Sequence, residues 1–117
     1  MHGGEALPLA RPEMLMAEAL LVITAKSFGC VGIVGDDGRL QGIVTDGDLR
    51  RHMSSDLLSL TAGEVMTPHP RTIGRDALAS EALGLMNSRS ITNLFVVDDG
   101  RPVGIIHVHD CLRAGVA

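Results

Sequence analysis

The sequence predicts a mixed α/β (α+β) fold assembled from two copies of one small strand–helix–hairpin–helix unit. Three observations carry that prediction. First, Gly42-Ile43-Val44-Thr45-Asp46-Gly47-Asp48-Leu49-Arg50-Arg51 reads as a buried strand running directly into a helix, and Gly104-Ile105-Ile106-His107-Val108-His109-Asp110-Cys111-Leu112-Arg113 repeats the pattern 62 positions later. Second, at the same offset Asp36-Asp37-Gly38-Arg39 recurs unchanged as Asp98-Asp99-Gly100-Arg101, while Leu21 matches Leu83, Val34 matches Val96 and Arg51 matches Arg113. Third, a chain of 117 residues leaves each copy too small to cover its own apolar face, so the two should pack on each other.

The first unit with its lead-in segment is assigned to residues 1–60 and the second to 61–117. Met1 to Arg11 form the lead-in, in which Ala6 to Leu9 make a short edge strand interrupted by Pro8. Pro12 suits a first helical turn and Glu13 its positive end, and Met16, Leu20 and Ile23 fall on one face of a helix reaching about Phe28. Gly29 ends it. Cys30 to Val34 is a strand, Asp36-Asp37-Gly38 a hairpin turn and Leu40 to Thr45 the return strand, followed by a helix to about Ser54. Thr61-Ala62-Gly63-Glu64 has the pattern of a capping box opening a short helical turn through Val65 and Met66. Met66 to Pro70 should be extended, because residues before proline avoid helix. Arg71 to Ile73 is the next strand, Asp76 to Ser88 a helix with Leu78, Ala82, Leu85 and Met86 on one face, and Asn93 to Val97 and Pro102 to Val108 the second hairpin. A helix from His109 to Ala114 completes the copy. Met14, Met16, Met53, Met66 and Met86 should fill the core.

Composition narrows the function. Hydrophobic residues make up 45 %, as in a globular protein. A formal net charge of −4 and 2 % aromatic residues supply neither the basic surface nor the stacking faces that nucleic acids need. Glu18 interrupts the best apolar run, so no membrane span is expected, and Met1-His2-Gly3-Gly4 lacks the start of a signal peptide. Cys30 and Cys111 stand apart in apolar segments and read as reduced core thiols of a cytoplasmic protein.

The chemistry concentrates where strand meets helix. Thr45, Asp46 and Asp48 put a hydroxyl, free N–H groups and carboxylates in one turn, which suits the phosphate and sugar hydroxyls of a nucleotide. Thr45-x-x-Asp48 also approximates a capping box that stabilises a helix start with no ligand at all, and both readings stay open. Arg51 and Arg113 follow the acid by three residues in each copy and could reach phosphate or lie on a solvated face. Thr92 and Asn93 are polar beside an apolar strand and mark an edge of the second unit's cleft. His107, His109 and Asp110 invite a metal, but two imidazoles and one acid make a weak set, and a polar lining is the better reading. No spacing arranges a nucleophile with a base, so no catalytic residue is assigned.

A duplicated unit carrying Gly-x-x-Thr-x-x-Asp from Gly42 to Asp48, with Val65-Met66-Thr67-Pro68 between the copies, resembles a tandem CBS-domain pair. The resemblance covers nearly the whole chain and implies two β-α-β-β-α units related by a pseudo-two-fold axis. Within that superfamily, Thr45 to Arg51 and His107 to Val116 resemble the C-terminal half of arabinose 5-phosphate isomerases of the KpsF/GutQ type, which interconvert ribulose 5-phosphate and arabinose 5-phosphate for Kdo and lipopolysaccharide synthesis. In these the reaction belongs to an N-terminal sugar-isomerase (SIS) domain that nothing here matches, so the chain reads as a regulatory portion beginning at the linker after it. The resemblance further implies a nucleotide, or CMP-Kdo, held between the units. The hydroxyl of Thr45 would contact phosphate and Asp48 the ribose hydroxyls, with Asp110 in the equivalent place. His107 departs from the pattern, standing where a hydroxyl residue is expected. No cofactor is required. Partners would be a second copy, giving a dimer that organises the isomerase tetramer, and the chain's own SIS domain. The competing reading is an assembly module with an empty cleft.

Overall fold

The computed structural model describes residues 7–26, 29–53, 56–77, 79–89, 91 and 93–107. The chain divides into two compact units, one spanning Pro8–Pro70 and the other built on the residues from Arg71 onward.

In the first unit the elements are β1 (Leu9–Ala10), α1 (Met16–Lys26), β2 (Cys30–Val34), β3 (Leu40–Thr45), α2 (Asp46–Arg51), a single 3-10 turn (Leu57–Ser59), α3 (Ala62–Val65) and β4 (Thr67–Pro68). The strands form one sheet in the order β1-β2-β3-β4, with β1 parallel to β2 and the other neighbours antiparallel. A parallel pair needs a long crossover, which α1 provides. The edge strand starts after Pro8 rather than spanning it: proline has no N–H for a ladder, but its carbonyl accepts from Gly32 N at 2.8 Å.

The helix expected from Pro12 begins four residues later, at Met16. The backbone before it is committed to α3 instead. Met14 N closes a turn on Arg11 O at 3.1 Å, the carbonyls of Pro12 and Met14 accept from Gly63 N (2.9 Å) and Ala62 N (2.8 Å), and Leu15 bridges Thr61 in antiparallel fashion. From there α1 buries Met16, Ala19 and Ile23 along one face, leaving Leu20 half-buried. These join Ala10, Val31, Ile33, Val44, Leu57, Ala62 and Val65 in the core, with Met14 and Met66 packed at its margin. Met53, expected inside, is 69 % exposed because α2 already ends at Arg51.

The second unit holds β5 (Thr72–Gly74), α4 (Ala79–Arg89), β6 (Asn93–Asp98) and β7 (Arg101–His107), in sheet order β5-β6-β7. Here β5 runs parallel to β6 and β7 antiparallel, as β1 and β3 do to β2. Ala82 and Met86 on α4 pack on Leu94, surrounded by Ile73, Leu83, Leu85, Ile91 and Ile106. Leu78 and the helix expected from His109 lie outside the described residues.

The two hairpins differ by one residue. Residues 35–39 connect the pair Val34↔Leu40, whereas 98–101 connect Val97↔Pro102. In consequence β3 matches β7 at the offset of 62 seen in the sequence, but β2 matches β6 at 63: Cys30↔Thr45 corresponds to Asn93↔His107, and Val34 to Val97 rather than Val96. Asp99 and Gly100 both take positive φ (54° and 78°), the combination that an Asp-Gly type I′ turn requires. The stretch before Pro70 is extended at Thr67 and Pro68, which pair with Ile43 and Gly42. His69 departs from that expectation, with φ of 54°, and its N–H donates to Gln41 O at 3.2 Å.

The Thr61 capping box is present as read from the sequence. Glu64 N donates to Thr61 Oγ1 at 3.3 Å, and Glu64 Oε1 accepts from Thr61 N and Oγ1, each at 3.0 Å. The backbone N–H and then the hydroxyl of Thr61 hold the Glu64 carboxyl below its ordinary value of 4.5. A carboxylate depressed on folding stabilises above the unfolded value and loses that contribution as pH falls through the folded one. Stability of wild type relative to Glu64→Gln should therefore be constant near neutrality and shrink below about pH 4.5 in urea titrations. Leu94→Ala, at a fully buried position, should cost about 2–5 kcal/mol in the same measurement, while Met53→Ala should stay within about 0.5 kcal/mol.

Candidate functional site

Thr45 is both the last residue of β3 and the N-cap of α2, with extended backbone (φ −117°, ψ 175°). That geometry turns its hydroxyl onto the orphan N–H groups of the helix start. Asp48 N donates to Thr45 Oγ1 at 3.4 Å, and Asp48 Oδ2 accepts from Thr45 N at 2.8 Å and from Thr45 Oγ1 at 3.1 Å. The capping box read from Thr45-x-x-Asp48 is thus formed, Asp serving where Glu or Gln is usual.

The other carboxylate oxygen faces a different pair. Asp48 Oδ1 accepts from Arg51 Nη2, one helical turn along, and from the Thr67 hydroxyl on β4. Arg51 Nη2 also donates to Thr67 Oγ1 at 3.1 Å. Asp48 is only 1 % exposed, the one buried charged side chain among the described residues, whereas the Arg51 side chain is 63 % exposed. A buried anion is tolerable only when its lone pairs are filled, and here two donors meet each oxygen.

Of the residues singled out in the sequence, the structure brings Thr45, Asp48 and Arg51 together. Asp46 opens α2 but is exposed. Its charge acts elsewhere, on Cys30: burial first, and then the Asp46 carboxylate, push that thiol up to about 12. Thr67 was not anticipated as a site residue. Its contact with Asp48 spans 19 residues and depends on β4 pairing with β3, a tertiary fact that no local spacing reports.

In the second unit, Asn93 and His107 stand opposite each other across β6 and β7, the same ladder position that Cys30 and Thr45 hold in the first. Both are half-buried. Thr92, His109, Asp110 and Arg113 lie outside the described residues. Among the described residues no three His, Cys, Asp or Glu side chains converge as a metal site would require. Among the same residues no helix is long and apolar enough to cross a membrane.

Comparison with known proteins places this geometry. The CBS domain model matches residues 5–55 and again 62–117. The chain belongs to the CBS-domain family, as a tandem pair. It is 45 % identical over 118 residues to arabinose 5-phosphate isomerase KdsD of Yersinia pestis, and 42 % identical over 118 residues to KdsD of Escherichia coli strain K12. Each alignment covers 99 % of this chain and 36 % of the isomerase. An uncharacterized Rickettsia prowazekii protein is 38 % identical over 117 residues, which are 37 % of its length. The chain thus spans a little over a third of these relatives. Among solved structures, CBSX2 in complex with AMP superposes with a TM-score of 0.84 at 25 % identity, covering 99 % of this chain and 92 % of that one. The cytosolic domain of the Mg2+ channel MgtE in complex with ATP gives 0.80 at 27 % identity, covering 97 % of this chain and 46 % of that one.

Two measurements check the site. Asp48→Ala removes the acceptor for Thr45 N and for the Thr67 hydroxyl and should lower stability by about 1–3 kcal/mol in urea titration. In a Cys111→Ser background, Cys30 should react with Ellman's reagent at pH 8 at least a hundredfold more slowly in the folded protein than in urea, since its thiol is buried and pushed up to about 12.

Proposed function

We propose that this chain is the ligand-sensing module of an arabinose 5-phosphate isomerase, responding to a nucleotide or a nucleotide sugar such as CMP-Kdo. The observation that carries the isomerase assignment is identity of 42–45 % to KdsD proteins over 99 % of the chain. The ligand class is supported by AMP in CBSX2 and ATP in MgtE, and by the Thr45–Asp48 turn, which offers a hydroxyl and a carboxylate together. In this reading the Thr45 hydroxyl and Arg51 serve phosphate, and Asp48 takes ribose hydroxyls, with Asp46 at the rim. In the second unit Asp110 takes the ribose role, His107 replaces the hydroxyl as a phosphate donor, and Thr92, Asn93, His109 and Arg113 line the site. The two sites are then unequal, because an imidazole donates one hydrogen bond when neutral and carries charge only when protonated.

The isomerase reaction would belong to a SIS domain in the remainder of the whole protein, serving Kdo and lipopolysaccharide synthesis in the cytoplasm. CBS pairs from two copies would join as a homodimer and support a tetramer. A second reading, an assembly module that holds no ligand, is favoured by Leu15, Leu21 and Leu58, which leave 44 %, 70 % and 53 % of their surface exposed on the first unit.

Thermal unfolding with AMP, ATP and CMP-Kdo separates the readings. A ligand at a hundred times its Kd should raise Tm by on the order of 10 °C. Asp48→Ala and Asp110→Ala should each shrink that ligand-dependent increment, whatever they do to Tm alone. No increment with any of the three, together with a ligand-indifferent dimer by light scattering, would favour assembly over sensing.

A further inference from the structure

We propose that Arg51 makes the first-unit site selective for phosphorylated nucleosides over free ones, by trading the Asp48 carboxylate for the ligand's phosphate. The inference rests on the nucleotide reading above and concerns how that same site discriminates. It starts from saturation. Asp48 Oδ2 accepts from Thr45 N and Thr45 Oγ1, and Oδ1 accepts from Arg51 Nη2 and Thr67 Oγ1. A carboxylate offers about four lone-pair sites, so a sugar hydroxyl gains access only when one of these donors leaves.

The four donors are not equally free to go. The Thr45 N–H contact belongs to the cap of α2, and losing it unravels the helix start. The single Thr45 hydroxyl proton turns from Oδ2 only when a phosphate oxygen is there to accept it. The Thr67 hydroxyl sits on β4, whose backbone is fixed by its ladder to β3. Arg51 alone is held by a flexible stem, with its side chain 63 % exposed, and can swing away without disturbing backbone hydrogen bonds. A Cβ added at Gly47 would stand in van der Waals contact with both groups, 3.6 Å from Thr45 Oγ1 and 3.8 Å from Arg51 Nη1, and the glycine puts no side chain there. A phosphate settling there meets the Thr45 hydroxyl on one side and the displaced guanidinium on the other, whose planar fork pairs with phosphate oxygens.

The consequence differs between ligands. A free nucleoside must break the Arg51–Asp48 pair and gives Arg51 nothing in exchange. A nucleoside monophosphate breaks the same pair but supplies a new anion. Arg51 thereby penalises one ligand and rewards the other.

Isothermal titration of the chain with adenosine and with AMP tests this in wild type, Arg51→Gln and Asp48→Asn. Arg51→Gln should bind adenosine about two- to fivefold more tightly and AMP about fivefold more weakly, so the AMP-to-adenosine affinity ratio falls by about tenfold or more. Asp48→Asn should weaken both ligands, which ties the signal to this site. An unchanged ratio in Arg51→Gln, with both ligands still binding, overturns the exchange and leaves the nucleotide reading standing. If a folded wild type and Arg51→Gln bind neither ligand, the nucleotide reading fails and the exchange with it.

Discussion

One buried carboxylate governs the first unit. Asp48 has almost no contact with water, and an ion in that position persists only if the surrounding chain supplies donors. Four arrive from three different places: the end of β3, the last turn of α2, and β4. The geometry of the strand-to-helix junction and the attachment of the segment leading out of the unit are therefore set by the same two oxygen atoms. Replacing Asp48 with an apolar residue would not simply remove a bond. It would leave Thr45 N without its acceptor at the mouth of a helix only six residues long.

The same arrangement would reconcile the helix cap with the ligand role proposed for this turn. Helix capping demands a filled carboxylate, whereas ligand recognition demands an available one. The two oxygens divide the work, Oδ2 serving the cap and Oδ1 meeting side chains alone. Hydrogen bonds to side chains exchange at lower cost than those that terminate a helix. On the proposed exchange the first unit would keep its helix cap while Oδ1 changes partners.

Much of this was legible from residue order alone, for reasons that differ by element. β2 and β3 were readable because Cys30 to Val34 and Leu40 to Thr45 flank a turn of Asp and Gly, and turn chemistry is local. The Thr61–Glu64 and Thr45–Asp48 boxes were readable because a cap closes within four residues. Where the chain defied its local signals, a distant partner had intervened. Pro12 and Glu13 favour a helix, but the carbonyls of Pro12 and Met14 accept from Gly63 N and Ala62 N, about fifty residues away. Thr67 carried no sign of its bond to Asp48, since the strand pairing that places it there is not encoded in spacing. Met53 looked like core by residue type and is outside because α2 stops short of it. The ligand role assigned to Asp110 rests on the family pattern, and those of Thr92, His109 and Arg113 rest on residue polarity and the repeat offset.

The single residue by which the hairpins differ limits how interchangeable the halves are. A strand alternates its faces with every residue, so a slip of one sends each side chain to the opposite face. Averaging the two halves into one ancestral-type sequence without a gap would superimpose Ile33 on Phe95, when the ladder equates Ile33 with Val96. Because consecutive residues of β2 and β6 are buried on both faces, such a hybrid would put the side chains of one packed face onto the other. One deletion in the loop after Val34 would restore the match, which makes loop length, more than strand sequence, the trait that keeps the halves distinct.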